Sequence, residues 1–302
     1  MIYIFIIFLF LLILKSVNLE INRDENQFFS AIILTRDFDL LPYKDYNFAH
    51  TPYLIYFYSI LKLTNYDFLN YRIISTFISI LIPLVISLKF YFKNKIYGIL
   101  VFTIIVSNSI FLQTSYYIWN HQLSSLFVIL AFLLFRIPFL SGFMIGLAVG
   151  VRLSSVFMIF PLIILLHKER RKYFILGFLI SILPIFLFFI TSRESFTYGV
   201  ITYNLYLNPK FYGFADKTLL EILLYKILTF LRLILKYNYE VLILSILLLI
   251  LERKKELLKQ SLILIFAAIS CLLPTPIFNQ YLYLFIIVFL YLAFKKLFEK
   301  NK

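Results

Sequence analysis

The stretch YRIISTFISILIPLVISLKFYFKNK, residues 71–95, decides the class of the fold. From Ile73 to Leu88 it carries no charge, close to the ~20 residues that a helix needs to cross a bilayer. It then ends in KFYFKNK, a short segment dense in lysine. An apolar helix followed by a basic connection is the mark of a span entering the cytoplasm.

The same pattern recurs in both directions along the chain. Further apolar runs lie at residues 1–18, 97–112, 117–135, 138–150, 153–166, 173–190, 239–251, 261–273 and 281–294, which predicts about ten spans. The 302-residue chain is 62% hydrophobic with a mean hydropathy of +0.93, far from a soluble domain with ~45–50% apolar residues. A soluble enzyme, a disordered tail and a porin are excluded, because the runs are continuous rather than alternating. The expected class is all-α: a polytopic transmembrane bundle forming one domain over residues 1–302, without a separate soluble domain. Its 29 Lys and Arg against 15 Asp and Glu would suggest nucleic acid in a soluble protein. Here they fit basic cytoplasmic loops, and nucleic acid is discounted. The single cysteine, Cys271, lies in an apolar run and reads as a packed thiol.

Charge also orients the chain. HKERRK (167–172), ERKKELLK (252–259) and the tail KKLFEKNK join KFYFKNK as basic segments expected in the cytoplasm. Both termini then lie inside, the first run is a retained anchor, and residues 19–70 and 191–238 form two exterior loops. Residues 219–235 are apolar enough for a further span, which would force 252–259 outside, but they carry Glu221, Lys226 and Arg232, so an interfacial helix is the preferred reading. The short pair of runs around Gly150 and Arg152 reads as a broken or re-entrant element.

The first exterior loop carries the chemistry. It opens with NRDENQFF, placing Asp24 and Glu25 just past the first helix, beside Phe28 and Phe29. A carboxylate shielded by aromatic rings next to a bilayer can have its pKa raised toward that of a working base. The alternative is a solvated helix cap. PYKDYNFAHTPYLIYFYSIL follows with Asp45, His50 and Pro52, and then Arg72 stands at the mouth of the next span. Further along come GLAVGVRLSSV, with Arg152, and PTPIFNQYLYLF, with Gln280 and Tyr281.

In this order the residues resemble the GT-C class of integral-membrane glycosyltransferases. The group concerned includes protein O-mannosyltransferases, lipid A aminoarabinose transferases and RgtA-type sugar transferases. Those proteins read as an apolar helix, a D-E doublet, a Y-x-D element, an H-x-P or P-P element and an arginine at the next span. The matching residues are Asp24, Glu25, Tyr43, Asp45, His50, Pro52 and Arg72. Arg152 matches an R-x-S element after a Gly-rich helix, and Gln280 and Tyr281 match a late Q-Y pair. The matches cover most of the chain, which is shorter than most members and has Thr51-Pro52 where many have Pro-Pro.

The resemblance implies transfer of a sugar from a polyprenyl-phosphate donor, such as dolichyl or undecaprenyl phosphate, to a glycan, lipid or protein acceptor on the exterior face. It makes Asp24 the base, with Glu25 sharing that role or orienting substrate. Asp45, His50, Arg72, Arg152, Gln280 and Tyr281 become substrate ligands, the arginines being suited to phosphate. Each arginine has the alternative of snorkelling to headgroups. Asp45 is also a potential partner for His50. The histidines His50, His121 and His167 show no ligand spacing, so no metal is assigned, although a divalent metal remains open in this class. WNHQ, residues 119–122, either lines the donor cavity or makes interhelical hydrogen bonds. The tyrosine-rich TYGVITYNLYLNP of the second loop either covers the acceptor or forms an interfacial belt. Rival functions are a multi-pass transporter or flippase, a polysaccharide polymerase or ligase, and a non-catalytic accessory subunit.

Overall fold

The computed structural model describes residues 2–61, 68–239, 241, 243, 244 and 254–298. Among these residues the chain is helix and loop without a strand, apart from an isolated bridge pairing Pro42 with Tyr46. The elements in order are α1 (Ile2–Val17), α2 (Arg23–Asp37), α3 (Tyr53–Ile60), α4 (Phe68–Tyr91), α5 (Lys95–Ser107), α6 (Ser109–Ser115), α7 (Asn120–Leu133) and α8 (Pro138–Val151). A 3-10 turn (Leu153–Met158) leads into α9 (Ile159–Leu165), followed by α10 (Lys168–Thr191) and α11 (Arg193–Phe196). A π-helix (Thr197–Leu207), α12 (Asn208–Phe211), α13 (Leu219–Tyr237), α14 (Lys254–Leu272), a second 3-10 turn (Asn279–Leu282) and α15 (Tyr283–Phe298) complete the chain.

Three helical stretches are long and apolar enough to cross a membrane alone: Phe68–Tyr91, Lys168–Thr191 and Asn279–Phe298. Together α5 and α6 would make a fourth, bent by 68°. Asn108 ends α5 in extended geometry and caps α6, its Oδ1 accepting from the Phe111 N–H at 3.0 Å, so the bend is built in. The other expected spans among the described residues are shorter apolar helices of 10–17 residues, below the ~20 that cross upright. The count of about ten is therefore not reached by length. The expected span at 239–251 and part of the basic segment 252–259 lie outside the described residues, as does the end of the tail.

Small residues let the helices close on one another. In α8, Gly142, Gly146 and Gly150 recur every four residues and form one bare stripe. A Cβ on Gly142 would lie 1.9 Å from the Phe174 carbonyl oxygen, and one on Gly177 of α10 would lie 2.0 Å from that of Phe139. The two backbones touch, which is how apolar helices gain packing where lipid removes the hydrophobic drive. The rest of α10 is largely exposed, as expected of a helix on the outside of the bundle. At the centre, α15 is buried along Tyr283–Phe294.

Helix α13 begins with a capping box between Thr218 and Glu221. It buries no residue and leaves Leu219, Leu220, Leu223, Leu224, Leu228, Leu231 and Leu235 exposed along one side. Glu221, Lys226 and Arg232 keep it apart from the three helices suited to cross. Lys226 Nζ donates to the Leu273 carbonyl at 2.9 Å, tying α13 to the loop after α14.

Candidate functional site

Asn22 starts α2 as its cap, its side chain accepting from the Asp24 N–H at 2.9 Å, and Glu25 completes a capping box. This fixes two adjacent carboxylates in the first turn, pointing different ways. Glu25 is buried and turns into the protein. Arg72 meets it with Nε 2.8 Å from Oε1 and Nη2 2.6 Å from Oε2. The remaining guanidinium donors go to the carbonyls of Ser16, Leu19 and Glu20 at 2.6–2.8 Å. Glu25 Oε1 also accepts from the Ile118 N–H at 3.0 Å. The two residues expected at the substrate are thus engaged within the protein: every guanidinium donor of Arg72 has an acceptor, and both Glu25 oxygens accept hydrogen bonds.

Asp24 points the other way and lines a cavity of about 170 Å³ while staying accessible to water. Burial raises its pKa above the ordinary carboxylate value, with the nearby charge of Arg23 opposing part of the shift. The same cavity is lined by His50, Trp119, Asn120, His121, Arg152, Ser154, Asn204, Gln280 and Tyr281, among apolar neighbours. Asp24, His50, Arg152, Gln280 and Tyr281, scattered over the chain, thus meet in one place.

The local fold explains why. Tyr43 adopts a left-handed backbone, φ 67°, that an L side chain rarely takes. Its buried ring packs on Phe48, Phe188 and Phe196, and its hydroxyl donates to the His50 carbonyl. Asp45 is exposed and accepts from the Leu41 N–H at 2.8 Å, closing the loop. It neither reaches the cavity nor pairs with His50. The Y-x-D element therefore shapes the loop that carries His50. Thr51 Oγ1 then donates to the Val149 carbonyl near the end of α8 at 3.1 Å, which brings His50 beside Arg152. His50 stacks on Phe28 at 4.9 Å. Burial first, and the charge of Arg152 second, push its pKa down to about 4, so its imidazole is neutral at physiological pH.

Arg152 occupies the break between α8 and the 3-10 turn, its backbone extended at φ −148°, ψ 111°. It is 7% exposed, its guanidinium lies 5.3 Å from the Tyr281 ring centroid, and Nη2 is buried without a hydrogen-bond partner. Among the described residues no carboxylate forms an ion pair with it. A buried cation without a counter-ion is costly unless a ligand supplies one.

The π-helix forms another wall. Gly199 packs so closely that a Cβ there would fall 2.1 Å from the Phe48 carbonyl oxygen, and Asn204 Nδ2 donates to the Ala49 carbonyl at 2.7 Å. From the tyrosine-rich stretch it is Val200, Ile201, Asn204 and Leu205 that line the cavity, not the tyrosines. The polar cluster WNHQ divides: Trp119, Asn120 and His121 line the cavity, while Gln122 donates to the carbonyls of Thr114 and Tyr117. Trp119 and His121 come from the cluster read in sequence as either cavity lining or interhelical hydrogen bonding, whereas Ser154 and Asn204 had no such reading. The signal of the first two was a polar tetrapeptide inside an apolar run. Compared with known proteins, the chain matches no family model, no curated protein and no solved structure.

Proposed function

We propose that the chain is a membrane glycosyltransferase that moves a sugar from a polyprenyl-phosphate donor to a glycan, lipid or protein acceptor. The observation that supports this reading is the pairing of opposite needs in one cavity. Arg152 is a buried cation lacking an anion, and Asp24 is a carboxylate with its pKa raised. A reaction that deprotonates a hydroxyl and leaves a phosphate uses both.

In this reading Asp24 takes the proton of the acceptor hydroxyl as its oxygen attacks the anomeric carbon. The new C–O bond forms as the bond to the donor's phosphate oxygen breaks, and that oxygen keeps the electron pair. Attack opposite the phosphate inverts the anomeric configuration. Arg152 offsets the charge that develops on the departing phosphate, which is worth most in a site shielded from water. Gln280 and Tyr281 contact donor or sugar. Glu25 and Arg72 position the site, since their pair joins the end of α1, the start of α2, α4 and the segment leading to Trp119. The proposal includes about ten membrane crossings, both termini inside and the cavity on the exterior face.

The test is to reconstitute the full chain with native membranes and a panel of radiolabelled polyprenyl-phosphate sugars. Label moving covalently into an acceptor supports the reading. Label crossing the bilayer with the donor intact would replace it with a flippase.

A further inference from the structure

Three nitrogen-bearing side chains of the cavity touch the fold through aromatic rings. His50, His121 and Arg152 come from the first loop, the start of α7 and the break after α8, and all line the same cavity. Among the described residues none of these three side chains makes a hydrogen bond, and His121 Nδ1 and Arg152 Nη2 are buried without partners. Two of them flank one aromatic ring, while His50 packs on Phe28 and Phe48 across the same cavity. The Tyr281 ring centroid is 5.4 Å from that of His121 and 5.3 Å from the Arg152 guanidinium. Trp119, whose Nε1 also lacks a partner, lies edge-on to His121 at 6.1 Å. The other titratable groups facing the cluster are Tyr281 itself, Asp24 from α2, which among the described residues is the sole carboxylate lining the cavity, Cys271 from α14, Tyr203 from the π-helix and Tyr212 after α12.

The charge count matters because the reaction changes it. A polyprenyl-phosphate sugar is a phosphodiester with one negative charge, whereas the polyprenyl phosphate left behind is a monoester whose second ionisation lies near pH ~6. Arg152 can compensate one charge, and a second would stay buried and uncompensated. Resting on the glycosyltransferase reading, we propose that His50 and His121 complete an anion site with Arg152 and take up a proton as the departing phosphate becomes a monoester. The balance closes. The acceptor's proton goes to Asp24, the electron pair of the broken bond stays on the phosphate oxygen, and one imidazole takes up a proton released by the buffered solvent, so the protein–product complex gains one proton overall and no hydroxide is left in the cavity. Burial first, and the charge of Arg152 second, make His50 a weak base; a doubly charged phosphate in the same cavity offsets the charge of Arg152 and pairs with the charged imidazole that burial alone disfavours, so it makes the imidazole more basic. Product binding therefore tightens as pH falls.

The experiment uses the full chain in lipid nanodiscs near neutral pH. Farnesyl phosphate, a monoester, and its methyl ester, a diester, are titrated calorimetrically in buffers of different ionisation enthalpy. The readout is protons taken up per mole of probe bound, which does not depend on affinity. Monoester binding should take up roughly one proton more than diester binding in the wild type. His50→Gln and His121→Gln should each lower that difference, and the double variant should abolish it, with thermal unfolding confirming that each variant folds. Equal uptake for the two probes, or a difference that survives in the folded double variant, would overturn the inference while leaving an anion site. Failure of both probes to bind the wild type would overturn the inference together with the phosphate-donor reading on which it rests.

Discussion

Arg72 and Glu25 close a buried, two-point ion pair across 47 residues of sequence, with N–O distances of 2.8 and 2.6 Å. The pair is one knot in a larger tie, because Arg72 also gathers three carbonyls around the end of α1 and Glu25 receives the Ile118 N–H. Removing either partner leaves the other charged and unpaired. Arg72→Met and Glu25→Gln should each lower stability by about 3–5 kcal/mol, seen as a lower unfolding midpoint in detergent. Both should lose transfer activity in proportion to the folded fraction lost.

Arg152 should behave in the opposite way. Its charge is buried without a partner, so Arg152→Met relieves a cost and should leave the unfolding midpoint unchanged or raised. Transfer should nevertheless fall by about 100-fold or more, the usual loss when a group that stabilises developing charge is removed. Parallel thermal denaturation and transfer assays check both halves.

The neutral state of His50 gives stability a pH dependence. Its folded-state pKa is depressed to about 4 from an ordinary 6.5, so below 6.5 the unfolded chain binds a proton that the folded chain refuses. Its contribution is present above pH 6.5 and is lost as pH falls toward 4. Unfolding midpoints measured across that interval should drop, and His50→Gln should flatten the drop.

The wall formed by the π-helix leaves no room for a methyl group at Gly199, because the obstructing atom is the backbone oxygen of Phe48. Gly199→Ala should force the π-helix away from residues 48–49, costing about 1–3 kcal/mol and raising KM for the donor. The unfolding midpoint and steady-state kinetics of the variant test this.

Much of the architecture is written in the order of apolar and basic segments, since helices in lipid must satisfy their own backbone groups. Asp24, His50, Arg152, Gln280 and Tyr281 could each be picked out as polar residues at the ends of apolar runs. Their convergence depends on contacts that sequence does not display, such as Thr51 reaching the Val149 carbonyl. Arg72 and Arg152 illustrate the limit. Both are arginines at helix ends beside apolar runs, yet one has every donor engaged and the other has a buried nitrogen without a partner. Glu25 reads in sequence as a twin of Asp24, but one step along a helix turns a side chain by ~100°, sending the two carboxylates to different surroundings. Helix lengths were the least legible: Asn108 breaks the run 97–112, which looks continuous by composition, whereas the charge of Arg152 marks its break in the sequence.

The most direct test of the proposed chemistry is the pH–rate profile for transfer of labelled sugar from a polyprenyl-phosphate donor, comparing wild type with Asp24→Asn at matched folding. The wild-type rate should fall on the acid side through a pKa above the ordinary carboxylate value, because burial makes Asp24 a stronger base and protonation silences it. Asp24→Asn should transfer at least ~100-fold more slowly and lose that acid limb. Equal rates and matching profiles for the two proteins would contradict the assignment of Asp24 as the base and, with it, the central claim about this cavity.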